Sequence, residues 1–426
     1  MGPQITQMKA DCTDGAGTMR HCEGRRPEAI GSPAHLFPAT RLLRQALRAF
    51  LAMTPELAVQ PSCRLAVYLL PILPVLPALP ISPVLSAQTT NVVVVMIDGV
   101  RWQEVFGGAD SMLISRKPGG VDDTAGVRAE FWRSTPDARR QRLMPFLWDT
   151  VATKGQIFGN VRKGSAAHTA NTYWFSYPGY SETLTGAFDS AVNSNDYPPN
   201  PNPSVFEWLN GFPEFHDSVA AFGSWEAFDR IFNEQRAGFP VFSAWQSPWD
   251  TTDANPAHAT VARLYGSLLR YWGGEVWDGL MQQAVLQYVR ERQPRLLFVG
   301  YGEPDEWAHA GRYDFVLQSL HHADGYIAEL WALLQSLPQY RGHTTLIITT
   351  DHGRGGGETG WKDHGADVPG AGNIWLAVMG PDTPALGERS NVPEVKQAQV
   401  AATVAALLGK DFRMFRKEAG PAVELK

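Results

Sequence analysis

Six residues able to hold a metal stand where apolar runs turn polar: Asp98, Asp305, His309, Asp351, His352 and His364. Carboxylates and neutral imidazoles are ligands that suit zinc or a similar dication. Three acids brought together repel one another strongly unless cations offset them. Two dications with a hydroxyl nearby form a device for phosphoryl transfer, because both clamp the reacting oxygens and one lowers the pKa of the nucleophile. The best-placed hydroxyl is Ser176, just before Pro178-Gly179 in the segment His168–Gly186. It precedes the helix suggested by Ser181-Glu182-Thr183-Leu184, where backbone N–H groups favour an anion. Each residue alone also has a bland explanation. Asp351 fits a turn, Asp98 an N-cap, Asp305 and His309 a helical surface pair four apart, and Ser176 ordinary turn chemistry.

The elements that must carry these residues give the set its weight. Asn91–Ile97 (NVVVVMI) is too short for a helix and apolar on both faces, which predicts a central parallel strand ending at Asp98. Arg295–Tyr301 runs in the same way towards Asp305, and Thr345–Ile348 towards Asp351 and His352. Open parallel sheets bind ligands at this carboxyl edge. Glycines 353, 355, 356 and 357 let the chain turn back so that His364 returns to the same place. Helices are predicted over 143–153, 277–292, 313–337 and 395–408, and further strands over 156–161 and 373–379. The alternation predicts an α/β fold, a mostly parallel central sheet with helices on both faces. Residues 200–275, which follow the loop Asn193–Pro203 and hold Trp225, Trp245, Trp249 and Trp272 among prolines, read as a cap or insertion. Its tryptophans serve either packing or a substrate cleft.

The 426 residues have room for one large α/β domain or two ordinary ones, and a hydrophobic content of 44% marks a globular chain. A net charge of −6 argues against a nucleic-acid-binding module. Residues 1–87 read as a presequence, with 1–52 an upstream extension and Met53 an alternative start. Arg64, the apolar run Leu65–Leu85 and the sequence Leu85-Ser86-Ala87 predict a signal peptide over about 53–87, cleaved after Ala87, and a periplasmic or secreted protein. Prolines at 71, 74, 77, 80 and 83 oppose the alternative, a retained membrane anchor, so no transmembrane span is expected in the mature chain, residues 88–426. Cys12, Cys22 and Cys63 all precede the cleavage site, which leaves the mature chain without disulfides, thiolate ligands or cysteine nucleophiles.

Four segments, in this order, resemble the alkaline phosphatase superfamily, most closely its nucleotide pyrophosphatase/phosphodiesterase-like branch. They are MIDGVR at 96–101, FSYPGYSETLTG at 175–186, YGEPDEWAH at 301–309, and TTDHG with a later KDHG within 349–365. The resemblance implies two divalent metal ions, zinc: one held by Asp98, Asp351 and His352, the other by Asp305, His309 and His364. It implies that Ser176, two residues before the proline, is the nucleophile and passes through a covalent phosphoserine. It also implies that Asn195 holds a phosphoryl oxygen. The function so implied is an exported two-metal hydrolase acting on a small-molecule phosphate ester.

Departures from the family pattern bear on the substrate. Secreted monoesterases similar to this chain carry a Lys-x-Arg pair that holds a dianionic phosphate, whereas the comparable stretch Phe222–Phe228 has no cation. That favours a diester or pyrophosphate, unless Arg230 or Arg101 supplies the charge. Pro178-Gly179-Tyr180 points the other way, being nearer to the Pro-Gly-His of the monoesterases. A sulfatase on the same fold would need a C/S-x-P-x-R motif, and Tyr180 stands where its arginine should be. A third reading is a non-catalytic secreted binding protein in which the metals are structural.

Overall fold

The computed structural model describes residues 88–425. The expected presequence with its expected signal peptide, and all three cysteines, lie outside the described residues. Among the described residues ten strands are present: β1 (Asn91–Ile97), β2 (Gln156–Phe158), β3 (Ala167–His168), β4 (Val219–Gly223), β5 (Val241–Ser243), β6 (Leu296–Tyr301), β7 (Thr344–Thr349), β8 (Leu376–Met379), β9 (Gly387–Glu388) and β10 (Val395–Lys396). Eight form one sheet in the order β5-β4-β6-β1-β7-β8-β2-β9, and β3 pairs with β10 apart from it. All neighbours in the large sheet are parallel except β8, which runs against both β7 and β2. The expected mostly parallel sheet is therefore the observed one.

The central strands β1, β6 and β7 are buried at every position because both faces are covered. Val93, Val95 and Ile97 join a core beneath the helices Asp278–Arg292 and Tyr313–Ser336, while Val92, Val94 and Met96 face the helices Ser176–Thr185 and Val400–Leu407. Each such side chain contributes about 1.5–3 kcal/mol by leaving water, so the register of this strand is strongly specified. That register matters for function. Ile97 pairs with Tyr301 and Met96 with Thr349, which brings the chain just beyond β6, β1 and β7 to one edge of the sheet.

Several local expectations change. The helix expected over 143–153 is observed from Pro145 to Lys154, with a π-helical stretch Leu147–Val151 inside it, and Met144 separates it from a preceding helix Pro136–Leu143, since proline cannot continue a helix from the preceding turn. The strand begun at Gln156 stops at Phe158, where Gly159 takes a positive φ. The helix expected from Ser181 begins at Ser176, with Pro178 in its first turn, where a missing N–H costs nothing. Residues 395–408 open with strand β10 and a short 3₁₀ turn before the helix. Within 200–275, expected as a cap, β4 and β5 are strands of the central sheet itself. Their short length, with Pro240 between them, hid the pattern.

Candidate metal and phosphoryl-transfer site

Asp98 and Asp351 follow β1 and β7 directly, and Asp305 lies on the helix Glu303–His309 that follows β6. The close approach of these elements needs Gly99. Its φ is +61°, and a Cβ there would lie 2.0 Å from Asp305 Oδ1. The chain from Gly353 turns back as expected, tied by Gly355 N–H to the Asp363 carbonyl at 3.1 Å, and delivers His364. Small size is what Gly355 supplies, since a Cβ there would lie 2.7 Å from the Gly360 carbonyl.

All eight residues singled out in the sequence meet. His352 Nε2 lies 3.4 Å from Asp98 Oδ1, 3.4 Å from Asp351 Oδ2 and 3.9 Å from Asp305 Oδ1. Its Nδ1 faces the Gly353 carbonyl at 2.8 Å, which assigns the proton to Nδ1 and leaves Nε2 free to ligate. His364 is oriented likewise by the Trp174 carbonyl at 3.2 Å, and its ring lies 4.0 Å from that of His352. His309 Nε2 is 3.1 Å from Asp305 Oδ2 and 3.0 Å from His364 Nε2. Two sets of potential ligand atoms have all members within 4.8 Å of one another: Asp98, Asp351 and His352, and Asp305, His352 and His364. His352 stands between the two sets rather than in the first alone.

The charges point to cations. Burial, and then the neighbouring Asp305, pushes Asp98 well above the usual carboxylate range. Burial, and then Asp98, does the same to Asp351. Asp98 Oδ1 and Asp351 Oδ2 are buried without a hydrogen-bond partner, so two acceptor oxygens face the cluster with nothing to neutralise them. Unpaired buried carboxylates of this kind are costly, and divalent cations are what this donor set fits. Burial, and then His352, lowers His364 to about 2, which keeps its imidazole neutral as a ligand requires. At Asp305 burial acts upward, but Arg354 and then His309 outweigh it and hold the carboxylate well below its ordinary range.

Ser176 is the first residue of its helix, and its Oγ is 3.3 Å from His352 Nε2. Asn195 Oδ1 accepts from the Tyr177 N–H at 3.0 Å, so the amide presents Nδ2 as a free donor. The loop before Ser176 is held by Glu182, whose carboxylate accepts from Ala170 N at 2.8 Å, Asn171 N at 2.7 Å, Asn171 Nδ2 at 2.8 Å and Ala398 N at 3.0 Å. Trp174 in that loop has φ +54°, a conformation uncommon for a bulky residue, and its carbonyl is the one that receives His364.

Ser176 opens into a cavity of about 170 Å³ lined by Asp98, Asn195, Trp225, Glu275, Asp305, Glu306, His309 and His364. Four of the residues that shape the site escaped the sequence reading. Tyr180 donates its hydroxyl to Asp98 Oδ2 at 3.0 Å, and Arg354 pairs with Asp305 Oδ1. Glu275 and Glu306 face each other, and burial foremost raises both above the normal carboxylate range. Tyr180, Glu306 and Arg354 lie inside the segments 175–186, 301–309 and 349–365, but no spacing within those segments shows what they touch. Glu275 lies outside all of them and had no local signal. The two cations considered for the phosphate are engaged elsewhere: Arg101 pairs with Glu104 and the Gly355 carbonyl, and Arg230 donates to the carbonyls of Tyr197 and Asn195.

Comparison with known proteins adds the following. The family model described as type I phosphodiesterase / nucleotide pyrophosphatase matches residues 119–418. No curated protein matches the sequence. Among solved structures, the lipoteichoic acid synthase LtaP from Listeria monocytogenes aligns at 13% identity over 76% of this chain and 73% of that one, with a TM-score of 0.47. Murine ectonucleotide pyrophosphatase/phosphodiesterase 5 aligns at 11% identity over 78% and 97%, with a TM-score of 0.42. The phosphonate monoester hydrolase from Silicibacter pomeroyi aligns at 13% identity over 79% and 78%, with a TM-score of 0.45.

Proposed function

The chain belongs to the type I phosphodiesterase / nucleotide pyrophosphatase family, and we propose that it is an exported two-metal hydrolase of phosphodiesters or pyrophosphates that works through Ser176. The observation that carries this reading is the lining of the cavity. Ser176, Asp98, Asp305, His309 and His364 line it with Asp351 and His352 next to them, and among the described residues no lysine or arginine does. Two divalent cations, bound by Asp98, Asp351 and His352 and by Asp305, His309 and His364, would supply the Lewis-acid charge that activates the hydroxyl and offsets the phosphoryl oxygens.

The chain's own groups do the rest. The helix beginning at Ser176 places its positive end at Oγ, which favours the anionic oxygen and the substrate phosphate alike. Asn195 turns Nδ2 towards a phosphoryl oxygen because the Tyr177 amide occupies its Oδ1. Attack forms the Oγ–phosphorus bond and expels one ester oxygen. Water then cleaves that bond, which restores Ser176 and releases the second product. A monoester dianion asks for a further cation, and the lining holds Glu275 and Glu306 instead. A substrate phosphate with a single negative charge suits this lining better. Tyr180, at the position of the sulfatase arginine, is committed to Asp98, which counts against sulfatase chemistry.

The test is hydrolysis of bis-p-nitrophenyl phosphate and p-nitrophenyl phosphate by the zinc-loaded full chain, with Ser176→Ala as control. The diester should be preferred, and the variant should lose on the order of 10³-fold in kcat. Equal activity of the variant and the parent would remove Ser176 from the mechanism.

A further inference from the structure

Arg354 is 1% exposed, and its guanidinium is spent on the site. Nη2 donates to Asp305 Oδ1 and, at 3.0 Å, to the Asp305 carbonyl, while Nη1 donates to the carbonyl of Lys362 on the segment that returns His364. One buried cation thus joins the helix carrying Asp305 and His309 to the loop carrying His364. No cationic side chain hydrogen-bonds Asp98 or Asp351 among the described residues. Their outer oxygens take neutral donors instead, the Tyr180 hydroxyl at 3.0 Å and the Gly99 amide at 3.1 Å, and their inner oxygens have no partner.

The two halves of the cluster therefore differ in charge. Asp98 and Asp351 offer a cation two carboxylates, neither hydrogen-bonded to a cationic side chain. Asp305 offers one, already paired with Arg354. They differ in access too, since the His309 side chain is 44% exposed while Asp98, Asp351 and His352 are buried.

From this asymmetry, and resting on the two-metal reading above, we infer that Arg354 is a positioning residue that sets unequal metal affinities. The Asp98/Asp351/His352 half fills first and holds its ion tightly, and the Asp305/His309/His364 half fills second and exchanges. Arg354 fixes one oxygen of Asp305 and leaves the other towards His309. Its charge opposes a dication there far more strongly than it would in water, because the pair is buried. The separation between the two affinities should be at least about tenfold.

The experiment is an equilibrium Zn²⁺ titration of the metal-stripped full chain against a chromophoric chelator, with thermal unfolding run alongside. The parent should show two classes of site, and His364→Ala should lose the weaker class alone. Arg354→Gln, which keeps an amide donor for the carbonyls and removes the charge, should strengthen the weaker class by about tenfold or more. Arg354→Lys should retain the separation even if its unfolding temperature falls. Two equal sites in the parent would overturn the inference while leaving the hydrolase reading intact, and no zinc binding at all would overturn both. Loss of the tight class in His364→Ala, or an unchanged gap in Arg354→Gln, would show that Arg354 is structural only.

Discussion

Asp98, Asp351 and His352 stand at the ends of adjacent strands and are buried, whereas Asp305, His309 and His364 ride on a seven-residue helix and a returning loop, with His309 largely open to solvent. The first half is fastened only by neutral hydrogen bonds, from Tyr180 and the Gly99 amide, and, among the described residues, by no charged side chain. Its register is fixed by the apolar faces of β1 and β7, so the carboxylates are placed by the same burial that holds the sheet. The second half lies beyond that guarantee and is tied down by polar contacts: Arg354 on Asp305 and Lys362, and the Trp174 carbonyl on His364. Strand ends position ligands through packing, and loops position them through buried hydrogen bonds.

The comparison can be broken most sharply with paired histidine variants. His352→Ala should lower diesterase activity by on the order of 10³-fold, and excess zinc should not restore it, because a buried ligand shared by both halves is gone. His309→Ala should lose about 10- to 100-fold and recover part of it with added zinc. Equal, unrecoverable losses in steady-state kinetics would mean that the halves are not distinct.

Glu182 tests whether the loop before Ser176 depends on polar fastening. Glu182→Ala strands four donors, three of them buried, and should lower stability by about 3 kcal/mol or more, read by denaturant unfolding. A change within experimental error would show that the loop is held by packing instead. A smaller effect is expected from Glu306→Gln, which removes a carboxyl group from the cavity. The ratio of monoester to diester turnover should rise about fivefold, and an unchanged ratio would remove Glu306 from substrate selection. Tyr180→Phe is expected to do least. It removes one hydrogen bond from Asp98, costing about 1 kcal/mol in stability, and a large loss of zinc affinity would mean that the strand-end half also relies on tethers.

How much of this could be read in advance follows the same division. The runs Asn91–Ile97, Leu296–Tyr301 and Thr344–Thr349 are legible because a strand buried on both faces must be apolar at every position, and the polar residues that end it stand out. The start of the Ser176 helix was less legible, because Pro178-Gly179 has the composition of a turn although proline is acceptable in a first helical turn. Strands β4 and β5 were hidden among prolines and tryptophans, since three to five residues are too few for a periodic signal.

The sequence by itself determined the ligand types, their order and the strands that deliver three of the acids to one edge, because local apolar runs and the polar residues closing them are properties of neighbours in the chain. Only the tertiary structure decided that Arg354 holds Asp305, that Tyr180 holds Asp98, that His352 stands between the two ligand sets, and that Glu275 and Glu306 line the cavity in place of a cation. Those relations join residues as far apart in the chain as Asp98 and His352, and no local pattern records which distant side chains the fold will bury together.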